Sequence, residues 1–167
     1  MNSIPSPHTY HSLYLAVYRA HLADRDTWNI AHCTRVITAI MGGRQFSWRV
    51  VGITETALKS LRENGYKRTD STKITRAHLR ERSDSVRELL SSPEKSQVDF
   101  LEFWAKNDPV VLCGPGENKK SVGPYIPIEN ESAELFGSGI VSWRHGQLER
   151  DFLAALYDSK FGLSPSL

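Results

Sequence analysis

The sequence predicts an α+β fold in a single small domain spanning 1–167, with helices towards both ends and a short β region between them. Three observations lead there. Apolar residues recur at helical spacing near each terminus, as Leu13, Val17 and Ala20 and again as Phe152, Ala155 and Leu156. Compact β-like runs stand at Phe46–Thr54 and Val110–Cys113. Turn-forming clusters, among them Gly42-Gly43, Asn64-Gly65 and Gly114-Pro115-Gly116, punctuate the middle. A chain of 167 residues, 40% hydrophobic and 24% charged, can close one core without disulfides or a structural metal.

Each element has a local reason. Thr9–Asp24 carries the first helical stripe. In Trp28–Met41 the residues Ile30, Cys33, Ile37 and Met41 share a face, and Gly42-Gly43 ends it. Trp48, Val50 and Val51 make the first strand. Thr54 can cap a helix with the face Ala57, Leu58 and Leu61, which stops at Asn64-Gly65. Thr72–Leu79 reads as a strand and its exit. Ser83 caps a short helix through Leu90, which Ser92-Pro93 breaks. Ser96–Lys106 is helical, with Val98, Leu101, Trp104 and Ala105 inward. The strand Val110–Cys113 follows. Tyr125–Ile128 and Ile140–Trp143 are short strand candidates, and Gln147–Ser159 is the last helix. Trp28, Trp48 and Trp104 are expected in the core.

Several classes are excluded or disfavoured. No apolar run approaches the roughly 20 residues of a membrane helix, so no membrane partner is expected. The polar stretch Met1–His11 does not read as a secretory signal. Cys33 and Cys113 are the only cysteines, which suits a reducing, cytoplasmic setting. Net charge is only +2, but it is unevenly spread. Between Lys59 and Arg82 eight bases face three acids, whereas between Asp84 and Glu134 ten acids face five bases. A basic block of this kind is a candidate polyanion footprint, and a solvated surface is the plainer alternative.

Two stretches suggest chemistry. In Ile74-Thr75-Arg76-Ala77-His78-Leu79 a histidine closes a strand inside the basic block, where neutral imidazole could take a proton from water near pH 7. In Asn107-Asp108-Pro109-Val110-Val111-Leu112-Cys113, running on to Glu117-Asn118-Lys119-Lys120, oxygen donors flank a strand and could hold a hard cation such as Mg²⁺. Together they resemble the HNH endonucleases, also called ββα-metal or His-Me finger nucleases. Their pattern is a histidine closing one strand, an asparagine leading into a second strand near a cysteine, then His or Asn opening a helix. The resemblance implies a ββα-metal-like nuclease core within 72–128. It implies His78 as general base, Asn107 as the residue orienting it, and Asn118, with Glu117 as substitute, as ligand of a divalent metal, Mg²⁺ in the first instance. The sequence departs from the family in having Ala77 where many members have Asp, and in a long insertion between His78 and Asn107.

The expected activity is metal-dependent endonucleolytic hydrolysis of double-stranded DNA, of restriction type, by a homodimer. Lys67, Arg68, Lys73, Arg76, Arg80, Arg82, Lys119 and Lys120 are the expected backbone-binding cations. One rival keeps the reaction class but uses Asp108, Glu117 and Lys119, a set that resembles the PD-(D/E)xK nuclease core. Another is a nucleic-acid-binding module without catalysis. Trp143-Arg144-His145-Gly146 is a further candidate contact, since Trp and Arg stack on bases.

Overall fold

The strand Pro109–Cys113 owes its central position to its composition. Val110, Val111, Leu112 and Cys113 are all fully buried, as a strand with neighbours on both edges and cover on both faces requires. The computed structural model describes residues 6–42, 47–118, 122–131, 134–137 and 144–162. In chain order these form α1 (Pro7–Ala23), α2 (Ile30–Met41), β1 (Arg49–Ile53), α3 (Glu55–Glu63), β2 (Thr75–His78), α4 (Arg82–Ser91), α5 (Gln97–Asn107), β3 (Pro109–Cys113), β4 (Ile126–Pro127) and α6 (Gln147–Phe161). A 3-10 turn at Asp70–Thr72 precedes β2. The α+β class read from the sequence is the class observed.

The four-stranded sheet has the order β2-β3-β1-β4. β1 and β3 run parallel, while β2 pairs antiparallel with β3 and β4 antiparallel with β1. Alternation sorts the strand residues between two faces. Val50, Ile53, Ile74, Val110 and Leu112 pack with Ala57, Leu58 and Leu61 of α3, Leu153 of α6 and Phe136. On the other face Ala77, Val111 and Cys113 gather with Val51 and Val122. A separate helical core joins α1, α2, α4 and α5, and Tyr14 stacks on Phe100 within it at 4.4 Å between ring centroids.

Three helices start where the sequence supplies a cap. Asn29 accepts from the His32 N–H, Thr54 from Ala57 and Ser96 from Asp99. Some inward faces differ from expectation. In α5 the buried pair is Phe100 and Trp104, spaced by four, so Val98 falls on the opposite side and is exposed. In α6 Leu153 is the buried residue and Ala155 faces solvent. Trp104 is buried, but Trp28 and Trp48 are only partly so. The strand expected at Ile140–Trp143 lies outside the described residues, as do Gly43 and Phe46.

β2 and β3 supply two antiparallel strands, but the third element of a ββα core does not open at Asn118. Asn118 is exposed and outside any helix. Among the described residues the next helix after β3 is α6. The reason is local, because Pro115 and Gly116 turn the chain after β3, with Gly116 at φ +82°, a left-handed conformation that suits glycine.

Candidate functional site

Asp108 stands at the centre of the most densely bonded polar group in the molecule. It follows the last residue of α5 and precedes Pro109, so the helix end and the strand start fix its backbone. Its side chain is 2% exposed. Arg82 grips it with two charge-assisted bonds, Nε to Oδ1 at 2.7 Å and Nη2 to Oδ2 at 2.7 Å. Ser47 Oγ donates to Oδ2 at 2.7 Å and the Trp48 N–H donates at 2.8 Å. Trp104 Nε1 donates to Ser47 Oγ at 3.1 Å and so ties the helical core to this group. Burial alone would raise the Asp108 pKa. The contacts from His78, Arg82 and Ser47 outweigh it and hold the carboxyl at about 2.

His78 leans on the same carboxylate. Nε2 lies 3.1 Å from Asp108 Oδ1, within ion-pair distance, though not in the direction a hydrogen bond requires. The imidazole packs on Trp48 with 4.3 Å between ring centroids and keeps 18% of its surface exposed. Arg82 in turn lies over the Trp48 ring at 4.4 Å. Trp48 adopts φ +60°, which is rare for a bulky residue and costs on the order of 1–3 kcal/mol. The bond from its N–H to Asp108 helps to hold it there.

This geometry corrects the expected role of Asn107. Its Oδ1 accepts from Arg80 Nη1 at 2.6 Å and its Nδ2 donates to the Phe103 carbonyl at 2.8 Å, so both ends are engaged away from His78. The residue against His78 is its neighbour, Asp108. The sequence reading gave Asp108 a catalytic part only in the rival set, placed Trp48 in the core, and assigned Ser47 no part. The detectable signal was an acid at a helix end directly before proline.

Glu117 and Asn118 do not join His78. The antiparallel register sets His78 opposite Val110, at the start of β3, and Thr75 opposite Cys113, at its end. Glu117 is anchored beyond that end. Its Oε2 accepts from Thr54 Oγ1 and, at 2.8 Å, from the Gly114 N–H. From Val110 to Gly114 the strand advances roughly 13 Å. Burial opposes ionisation of Glu117, but bonds from Thr54, Thr56 and the Gly114 N–H prevail and hold its pKa below the usual value. Thr54 also caps α3, so the carboxylate locks the 114–117 turn to that helix start. The rival set fails for the same reason, with Asp108 and Glu117 at opposite ends of β3. Among the described residues no group of three or more His, Cys, Asp or Glu side chains is arranged to hold a metal ion. Glu117 and Asn118, the expected metal ligands, thus stand away from His78.

The basic block is divided by its contacts. Arg82 is spent on Asp108, and Arg80 on Glu88 at 2.7 Å and on Asn107. Arg76 is buried, and its Nη2 donates to the carbonyls of Phe136 at 2.7 Å and Gly137 at 3.1 Å. Burial lowers its pKa to about 10, which leaves it charged at neutral pH. Those three cations are each engaged by groups of the chain itself. Lys73 is exposed in a left-handed turn position. Lys67 and Arg68 line a cleft of about 560 Å³ with Arg144 and Arg150. Lys119, Lys120 and Trp143 lie outside the described residues. No helix among the described residues is long and apolar enough to cross a membrane. No family model, curated protein or solved structure matches this chain.

Proposed function

We propose that this chain hydrolyses phosphodiester bonds of nucleic acid, as an endonuclease on double-stranded DNA, with His78 as general base. The pairing of His78 with the buried, ionised carboxylate of Asp108 supports this reading. With Nε2 turned to Asp108, Nδ1 is the nitrogen left for the attacking water. Neutral imidazole takes the proton as the water oxygen bonds to phosphorus and the bridging P–O bond breaks, its electron pair leaving on the sugar oxygen, which takes a proton from solvent. Asp108 is a positioning residue. It orients the ring and stabilises the imidazolium that forms, as a buried carboxylate does behind a catalytic histidine. No step is assigned to a metal, because Asn118 and Glu117 do not stand at His78. One such centre per chain cuts one strand, so cutting both strands of a duplex calls for a two-fold homodimer.

Cleavage of labelled duplex DNA, run with Mg²⁺ and again with EDTA, tests the proposal. His78→Ala is expected to lower the rate by about 10²–10⁴ while leaving DNA binding within a factor of two of wild type. Near-normal cutting by His78→Ala would overturn the assignment. The occupation of Asp108 by Arg82, Ser47 and Trp48 favours a second reading, in which the group is a structural lock and the chain binds nucleic acid without cutting it. That reading predicts no cleavage by wild type in either condition.

A further inference from the structure

We propose that the cleft between the loop after α3 and the start of α6 binds the backbone phosphates of a nucleic acid. Lys67, Arg68, Thr69 and Asp70 line it from one side, and Arg144 and Arg150 from the other. Its volume of about 560 Å³ lies within the roughly 300–1,000 Å³ typical of ligand sites. Segments more than 70 positions apart thus bring four permanent cations to one cavity, with Asp70 as the one carboxylate in the lining. His145 also lines it. Burial lowers the pKa of its ring, whose Nδ1 meets the Tyr66 carbonyl at 2.8 Å, so it adds no charge at neutral pH.

Some cations elsewhere stand against acids, as in Arg19–Glu94, Lys59–Glu55, Arg80–Glu88, Arg82–Asp108 and Arg87–Asp84. Among the described residues no carboxylate lies within ion-pair distance of Lys67, Arg144 or Arg150. Arg150 donates instead to the His145 carbonyl at 3.1 Å and to Gln147 Oε1, both uncharged. Grouped like charges repel one another, and an anion entering the cleft would relieve that repulsion. A phosphate matches the forked donors of arginine. A separate cavity lined by Glu129, Glu131 and Glu134 would repel the same ligand.

The cleft is coupled in space to β2. Phe136 packs edge-on against His145 at 5.3 Å, and its carbonyl accepts from Arg76. Arg76 and His78 are two residues apart on one face of β2, roughly 7 Å along the strand. A backbone seated in the cleft would therefore run towards His78. This placement rests on the hydrolase reading, whereas the binding itself does not.

The test is fluorescence anisotropy with a fluorescein-labelled 16-mer, as duplex DNA, single-stranded DNA and RNA, in EDTA at several salt concentrations. The variant is Lys67→Gln/Arg144→Gln, at two exposed side chains, with Lys106→Gln as a control away from the cleft. On duplex DNA the double variant is expected to lower the magnitude of the slope of log K against log salt by roughly 1.8, or 0.9 per lost contact. Affinity at low salt should fall at least about tenfold. The control should match wild type, and all three should melt within about 2 °C of one another. An unchanged slope in the double variant would overturn the proposal. So would displacement of the 16-mer by inorganic phosphate or AMP at concentrations close to that of the competing unlabelled 16-mer, which would mark a small-anion site. His78→Ala should bind like wild type, so a chain that never cuts DNA yet shows the slope change refutes the hydrolase reading and leaves this inference standing.

Discussion

Replacing Asp108 by Asn removes one charge and keeps the shape, which makes it a direct probe of the group behind His78. The change leaves Arg82, with 9% of its side chain exposed, as a buried cation without its counter-ion. Breaking a buried pair in this way costs about 3–5 kcal/mol. The lowered pKa gives an independent magnitude. A fall from the ordinary 3.8 to about 2 corresponds to about 2 kcal/mol of stabilisation by the ionised form. Because the folded-state value is the lower one, this stabilisation is complete above about pH 4 and is lost as pH falls through about 2. For a chain of this length each kcal/mol moves the melting temperature by about 2–4 °C, so Asp108→Asn should melt about 6–20 °C lower at pH 7. Near pH 2, where about half of Asp108 is itself protonated, the gap should narrow. Thermal melts by circular dichroism give both numbers. Adding Arg82→Met should recover part of the loss, because the lone buried charge disappears. A single mutant that melts within about 2 °C of wild type, or a double mutant less stable than the single by the full cost of Arg82→Met alone, would refute the reasoning.

Other expectations follow from the same contacts. Arg76→Met should lower stability by about 1.5–3 kcal/mol in urea unfolding, through lost bonds to the Phe136 and Gly137 carbonyls, and should leave nucleic-acid affinity within twofold. Thr54→Val removes the α3 cap and a bond to Glu117, and should cost about 1–2 kcal/mol by the same measurement. Burial raises the pKa of both thiols, that of Cys113 to about 11 with Glu117 adding to the effect, so neither Cys33 nor Cys113 should react with a thiol reagent at pH 8 until the chain is denatured. Rapid labelling of the folded protein would show that one of the two sites opens.

Much of the fold was legible because its signals are local. Thr54, the Ala57-Leu58-Leu61 face and Asn64-Gly65 mark α3 within twelve residues, and Gly65 takes the positive φ that the stop requires. The unbroken apolar run at β3 announces a central strand. What escaped depends on partners distant in sequence. The parallel pairing of β1 with β3 joins segments separated by three helices and a strand. Val98 and Phe100 are both apolar, and only the position of Tyr14 on α1 determines that Phe100 is the residue turned inward.

The site was legible in its residue types and not in their arrangement. A count of bases from Lys59 to Arg82 treats Arg82 and Lys67 alike. The fold separates them, since the chain between β2 and α4 is short enough to bring Arg82 onto Asp108 while Lys67 sits in a loop on the rim of the cleft. The choice between Asn107 and Asp108 turns on a single residue at the end of α5. One position back, the side chain lies along the helix and bonds its own Phe103 carbonyl. One position on, the chain has left the helix, and the carboxylate points at β2 and α4 together. Periodicity describes residues inside an element, and at its last turn it no longer says which way a side chain goes. The cleft shows the same limit from the other side. Arg144 and Arg150 stand in a stretch of near-balanced charge, so no local excess marks them. Their significance comes from the packing of α6 on α3, which closes the distance to Lys67 and Arg68. A binding surface built by such closure is encoded in the hydrophobic face that docks the helix, Leu153 above all, rather than in the cations it carries.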